Sequence, residues 1–300
     1  MKDLGWLFVA ALTFSLSIVA VYLNHVSVAR RNDIKAIQAV HLRSTSRFGG
    51  VAIFLAWSTS LALGLANGHP QVTLNIILAL PVILVGLIED AGWRVNPYLR
   101  LLAGAVSSLL AILLSGAAID HLGIVALDAA LTHQALAIAF SVFAFTGVTQ
   151  SFNLLDGLHG LCGLTSAAVA LALAIISSKA GQAEFGLALI TLAAALLGFL
   201  LLNFPRGRIF LGDAGATGIG FILACSAVQL ANLVPDLSPF ALALVFFWPI
   251  ADTLLTIARR LGHKKPSMHP DRMHFHHVVM RSIEILVLRR KDRAVSNPLA

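Results

Sequence analysis

Long apolar runs recur along the chain, and short polar stretches separate them. A helix needs about 20 mostly apolar residues to cross a bilayer. Nine segments qualify: 4–23, 48–66, 72–88, 98–117, 135–152, 161–178, 186–203, 214–233 and 239–258. Several carry small residues throughout, such as Gly104, Ser107 and Ser108, or Ser141, Thr146 and Gly147. Small residues let helices approach closely in lipid. A buried soluble core is the alternative, but nine such runs leave no polar faces to meet water. The pattern predicts an all-α integral membrane protein, a polytopic bundle of about nine to ten transmembrane helices in one domain over 1–300. The first run has a weak basic start, Lys2, and no obvious small-x-small cleavage site before Tyr22, so it reads as an uncleaved helix. Pro249 is expected to kink the ninth run. Gly123–Leu127, in the long connection 118–134, reads as a short strand or a re-entrant piece. Val278–Leu288 is apolar but short, interrupted by Arg281 and Glu284, and reads as an amphipathic segment in the interface.

Composition narrows the class. The 300 residues are 58% hydrophobic and only 12% charged, about half the charged share of soluble proteins. Mean hydropathy is +0.87. These figures exclude a soluble domain and a disordered chain. The two cysteines, Cys162 and Cys225, fall in apolar runs and exclude a disulfide scaffold. The net charge of +7 would suggest nucleic acid in a soluble protein. Here it follows from the positive-inside bias, and no nucleic-acid partner is expected. Of the 21 Lys and Arg residues, only Lys2 and Lys179 fall on one side of the expected topology. The other 19 lie in the odd-numbered connections, the C-terminal tail and the start of the fourth run, at Arg100. That side is therefore the cytoplasm, and the N-terminus lies outside.

Polar residues fit for chemistry collect at the cytoplasmic ends of the runs. His41, Arg43, Arg47, Gly49 and Gly50 enter the second run. Arginine suits phosphate and glycine lets backbone approach a ligand, although a basic juxtamembrane anchor accounts for the same residues. Glu89 and Asp90 end the third run. Adjacent carboxylates at a membrane boundary are costly unless paired or metal-bound; Arg94 is a candidate pair. Asn153, Asp156, Gly157, His159 and Gly160 open the sixth run. Helix capping explains an Asp there, but not the whole string. Asp213 lies between glycines at the start of the eighth run, where backbone N–H groups can face an anion. His269, His274, His276 and His277 crowd the tail beside Arg272. Zinc would favour a set that includes cysteine, so phosphate binding is the equal alternative. Taken together, the five clusters point to a membrane-embedded site that handles a phosphate with a divalent metal.

The strings NxxDGxxG (153–160) and FxGDxG (210–215), with DRxHxHH (271–277), resemble the polyprenyl-phosphate N-acetylhexosamine-1-phosphate transferases of glycosyltransferase family 4. The resemblance runs from about His41 to His277. The tail matches the enzymes that initiate O-antigen and related glycans rather than the more distant peptidoglycan translocase. It implies transfer of N-acetylhexosamine-1-phosphate from a UDP-N-acetylhexosamine to undecaprenyl phosphate, with release of UMP. The reaction would start O-antigen, capsule or related glycans at the cytoplasmic face of a bacterial inner membrane. It also implies Mg²⁺, with Mn²⁺ as the alternative ion, and allows a homodimer. By that resemblance Glu89, Asp90, Asp156 and Asp213 are the catalytic candidates, with Asp213 and Asp90 on the metal. Substrate binding falls to His41, Arg43, Arg47, Asn153, His159, Arg272, His274, His276 and His277.

Three positions depart from the family pattern. Glu89 stands where an aspartate is usual, His159 replaces the second acid of DGxDG, and Thr45-Ser46 replaces Thr-Pro. A further helix usually follows the histidine motif. These departures keep two other readings open. One is an impaired paralogue that binds lipid phosphate. The other is a transporter, although Asp252, the only acid inside a run, falls toward the cytoplasmic end of the ninth run, near the site rather than mid-membrane.

Overall fold

The computed structural model describes residues 5–27, 45–63, 70–262, 275–290 and 292–299. All regular structure among them is helical. The elements are α1 (Gly5–Ser27), α2 (Gly49–Ala62), α3 (Pro70–Leu78), α4 (Leu80–Asp90), α5 (Pro97–Ser115), α6 (Val125–Leu131) and α7 (Gln134–Leu155). They continue with α8 (Leu161–Lys179), α9 (Ala183–Asn203), α10 (Gly212–Leu233), α11 (Pro239–Val245), α12 (Phe247–Gly262), α13 (Phe275–Ser282) and α14 (Arg293–Leu299). A π-helical turn, Ile283–Val287, extends α13.

Five described helices, α5 and α7 to α10, are long and apolar enough to cross a membrane. The count rises to seven if α3 with α4, and α11 with α12, each form one bent span. Two further apolar stretches, Leu7–Tyr22 and Gly49–Ala62, are shorter than a span requires, so the described residues show five to seven candidate spans rather than the nine to ten expected. The chain is a multi-pass, all-helical membrane protein. The third and ninth runs are not single helices. α3 and α4 meet at 45°, and α11 and α12 at 77°. Proline causes both breaks. Pro81 and Pro249 have no N–H for the carbonyl four residues back, and their rings crowd it. Each break therefore falls just before its proline, at Ala79 and Phe246. The stretch at 123–127 forms no strand: Val125 begins the short helix α6.

α10 is the central element. It packs on α2, α3, α4, α5, α7 and α8, and 89% of its apolar window is buried, against 33% for α5 and α7. Its Gly, Ala, Ser and Thr content permits this, because small side chains allow neighbouring backbones to close in. One apolar core runs from α1 to α11, with Trp57, Phe145, Phe152, Phe185, Phe199 and Phe221 as its largest side chains. Helix ends are set locally. Asn96 caps α5 by accepting the Tyr98 N–H at 2.9 Å, Pro97 follows it, and Gly116 ends the helix in the left-handed region. Away from the acidic residues, Asn75 of α3 exchanges hydrogen bonds with Gln229 of α10 at 2.9 Å each way. This buried amide pair fixes the register of the two helices.

Candidate functional site

Four of the five polar clusters meet around the first turn of α10. The side chain of Asp90, fully buried at the end of α4, faces that turn. Its Oδ1 accepts the Asp213 N–H at 2.9 Å and its Oδ2 accepts the Ala214 N–H at 3.0 Å. The N-cap residue, Leu211, has no capping side chain. Asp90 thus supplies from α4 the acceptor and negative charge that a helix start requires.

The entry to α2 is sewn to the same loop. Gly49 and Gly50 donate their N–H groups to the carbonyls of Phe210 and Leu211, at 3.0 and 2.9 Å. Phe210 N–H donates to Ser46 O at 2.8 Å. Gly212 sits at φ +81°, where a β-carbon would also strike the Arg47 carbonyl and the Asp90 carboxylate. Only glycine fits there.

Charges gather over this frame. Arg100 Nη2 lies 2.6 Å from Glu89 Oε1, and its Nη1 lies 3.6 Å from Asp213 Oδ1. Arg47 Nη1 reaches Asp213 Oδ2 at 3.6 Å. Asp156, just past the end of α7, accepts a hydrogen bond from the Gly212 backbone. Four carboxyl groups thus share two guanidinium groups. Among the described residues, Glu89 Oε2 and Gln150 Nε2 are buried without a hydrogen-bond partner. A small cavity of about 10 Å³ opens here, lined by Gly86, Arg100, Gln150, Asp213 and Thr217.

Burial pushes the Asp156 carboxyl up to about 7, and the nearby charge of Asp213 adds to this, while Arg47 and the Gly212 N–H oppose it. An aspartate in the unfolded chain titrates near 3.9. The folded protein therefore holds this proton more tightly. The stability it contributes is full below about pH 4 and is lost as pH rises to about 7. Metal-free wild-type protein should show a midpoint of thermal unfolding that falls with pH across that window more steeply than Asp156→Asn does. Equal slopes would discard this account.

His159 belongs to a neighbouring arrangement. Its Nδ1 lies 3.0 Å from the Pro205 carbonyl, which can only accept, so Nδ1 carries the proton. The ring stacks on Phe210 with centroids 5.8 Å apart. Burial holds the imidazole below its usual range, with the bond to Pro205 opposing. The structure thus binds the side chain of this substrate candidate to the 205–210 loop. Asn153 lies in the last turn of α7, one turn before Asp156. His41, Arg43, Arg272 and His274 lie outside the described residues; His276 and the half-buried His277 begin α13. Asp252 accepts the Phe275 N–H at 2.9 Å and so anchors the start of α13.

Three residues at or beside this site were not singled out from the sequence as site residues. Arg100 had a visible signal, a lone arginine inside an apolar run. Gln150 and Asn203 had none. Asn203 accepts the Gly160 N–H and donates to the Ile209 carbonyl, at 2.7 Å each, tying the 156–160 turn to the 203–210 loop.

Among the described residues no three His, Cys, Asp or Glu side chains converge as a ready cation cage. Mg²⁺ does not require one, since it is commonly held by one or two carboxylates together with substrate phosphates. The orphaned Glu89 Oε2, the surplus of carboxyl groups and the hard oxygen donors fit such an ion. Both oxygens of Asp90 accept backbone N–H groups of the helix start, whereas those of Asp213 and Glu89 face the guanidinium groups of Arg47 and Arg100.

The sequence model of glycosyl transferase family 4 matches residues 72–231, which include Glu89, Asp90, Asn153, Asp156 and Asp213. The decaprenyl-phosphate N-acetylglucosaminephosphotransferase of Mycobacterium tuberculosis is 30% identical over 279 residues, covering 81% of this chain and 67% of that protein. The enzyme of the same name from Mycolicibacterium smegmatis is 28% identical, over 92% of this chain and 71% of that one. The undecaprenyl-phosphate alpha-N-acetylglucosaminyl 1-phosphate transferase of Salmonella typhi is 26% identical, over 78% and 65%.

Proposed function

The chain belongs to glycosyl transferase family 4, and from that premise we propose that it transfers an N-acetylhexosamine-1-phosphate from a UDP-sugar to a polyprenyl phosphate, releasing UMP. Undecaprenyl phosphate is the acceptor we favour. The product would start O-antigen, capsule or a related envelope glycan. By the positive-inside bias the site faces the cytoplasm of the inner membrane. One observation carries the reading: carboxylates and arginines far apart in sequence converge on the first turn of α10.

The reaction is phosphoryl transfer, in which positioning and charge stabilisation supply most of the rate. An oxygen of the lipid phosphate attacks the β-phosphorus of the UDP-sugar. A new P–O bond forms, the bond to the UMP oxygen breaks, and UMP carries the electron pair away. Glu89 orients the attacking phosphate or takes its proton. Arg47 and Arg100 flank the transferred phosphoryl group. Asn153 and Asp156 hold the nucleotide end, and the histidines of the tail bind phosphate. Mg²⁺, held by Asp213 and Glu89, would neutralise charge that develops on UMP. Asp90 keeps Asp213 in place. An acceptor fixed at the bilayer surface gains from proximity, which is why the site sits in a membrane protein.

The test is UMP release by purified protein in detergent, with undecaprenyl phosphate, Mg²⁺ and a panel of UDP-N-acetylhexosamines. Release that needs both lipid and metal is expected, and the best donor names the sugar. A folded protein that releases no UMP from any donor would sink the proposal. Trapping a phospho-enzyme in a single turnover would replace direct attack by a covalent route.

A further inference from the structure

The turn that carries Asp156 is held from two sides. On one side lie Asn203 and the 205–210 loop. On the other lies the C-terminal part of the chain, from α13, which begins within the histidine motif, to α14. Asn297 of α14 is 2% exposed, and its Oδ1 accepts the His159 N–H at 2.8 Å. Met280 of α13 packs on Leu158, each 5% exposed. Ser296 is fully buried, and its hydroxyl donates to Glu284 Oε1 at 3.0 Å, which fixes α14 on the π-helical turn. Asp252 holds the Phe275 N–H at the other end, where Phe275 also meets Trp248 edge to face.

The Asn297 amide is an odd choice for packing alone. Among the described residues its Nδ2 is buried with no hydrogen-bond partner, and leaving a buried donor unpaired is unfavourable. An apolar side chain of the same volume would avoid that cost. The hydrogen bond its side chain makes among the described residues is the one accepted from His159. That bond lies three residues from Asp156, whose carboxyl meets the Gly212 N–H beside Asp213.

We propose that Asn297 is a positioning residue for the transfer reaction: through the His159 amide it holds the 156–160 turn so that Asp156 stays registered against the first turn of α10. The C-terminal segment thus clamps the 156–160 turn from the side opposite the 203–210 loop. The inference rests on the transferase reading for its effect on rate, but the contact can be tested without turnover.

The experiment compares full-length wild type, Asn297→Leu and Asn297→Asp in two assays. In amide hydrogen exchange, His159 should be protected in wild type and in Asn297→Asp, which keeps an acceptor, and exposed in Asn297→Leu. In UMP release, Asn297→Leu should lose between about tenfold and about a hundredfold in kcat, with KM for the UDP-sugar little changed. Asn297→Asp should keep most of its activity. If Asn297→Leu does not fold, Asn297→Ser, whose hydroxyl falls short of the amide, takes its place with the same expectations. An unprotected His159 amide in wild type, or an acceptor-free variant with wild-type kcat, overturns the proposal. Wild-type protein that shows the protected amide but releases no UMP sinks the transferase reading instead.

Discussion

Asp213→Ala is expected to cut UMP release by about a thousandfold, roughly 4 kcal/mol of transition-state stabilisation, with little change in thermal stability. The two effects separate because Asp213 divides its tasks. Its backbone serves the fold: the N–H donates to Asp90 and the carbonyl accepts the Thr217 hydroxyl at 2.6 Å. Among the described residues its side chain makes only ion pairs, at 3.6 Å with Arg47 and Arg100. Partly exposed pairs of that kind contribute about 1 kcal/mol or less. Removing one carboxylate also relieves repulsion among the remaining acids. The Ala variant should therefore fold, and Asp213→Asn, which keeps the volume, should be nearly as inactive. UMP release measured beside the unfolding midpoint checks both halves. Activity above about a tenth of wild type would remove Asp213 from the transfer step.

Asp90→Ala should behave differently, because it damages the frame. Both oxygens of Asp90 satisfy N–H groups at the start of α10, in a place that water does not reach. Deleting them leaves two buried donors unpaired. Each orphan costs about 1–3 kcal/mol, and the cap's charge on the helix dipole adds to the loss. A total of about 2–6 kcal/mol is expected from the two donors, seen as a clear drop in the unfolding midpoint. Asp90→Asn keeps one acceptor and should fall between Ala and wild type. Activity should fall in both, because Asp213 is the residue whose N–H is released. An alanine variant that melts with wild type would show that α10 finds its cap elsewhere.

The contrast between these neighbours shows how far the sequence can be read. Both aspartates stand out as acids at the ends of apolar runs, and spacing alone makes them equal candidates for a metal. Their division of labour depends on α4 and α10 meeting end to end, which no local pattern encodes. His159 is a similar case. Its place in the motif suggests a ligand-facing group, yet its ring lies on the 205–210 loop. Arg100 gave a local sign, since a cation inside an apolar helix must have a partner. Asn297 gave none, because an asparagine in a polar tail looks like any solvated residue.

The sequence by itself determined the membrane class, the positions of the apolar runs and the segments in which the candidate site residues lie. Hydropathy and motif spacing are local properties, and a bilayer leaves few alternatives to helices. Proline sits at both breaks as well, at Pro81 and at Pro249. The tertiary structure decided which helix ends meet, which acid caps α10 and which remains available to a ligand. It also decided that α14 reaches back to the 156–160 turn. These are contacts between residues more than a hundred positions apart in the chain. The first follows from how α2, α4 and α7 close on the small residues of α10, and packing of that kind is a property of the whole bundle.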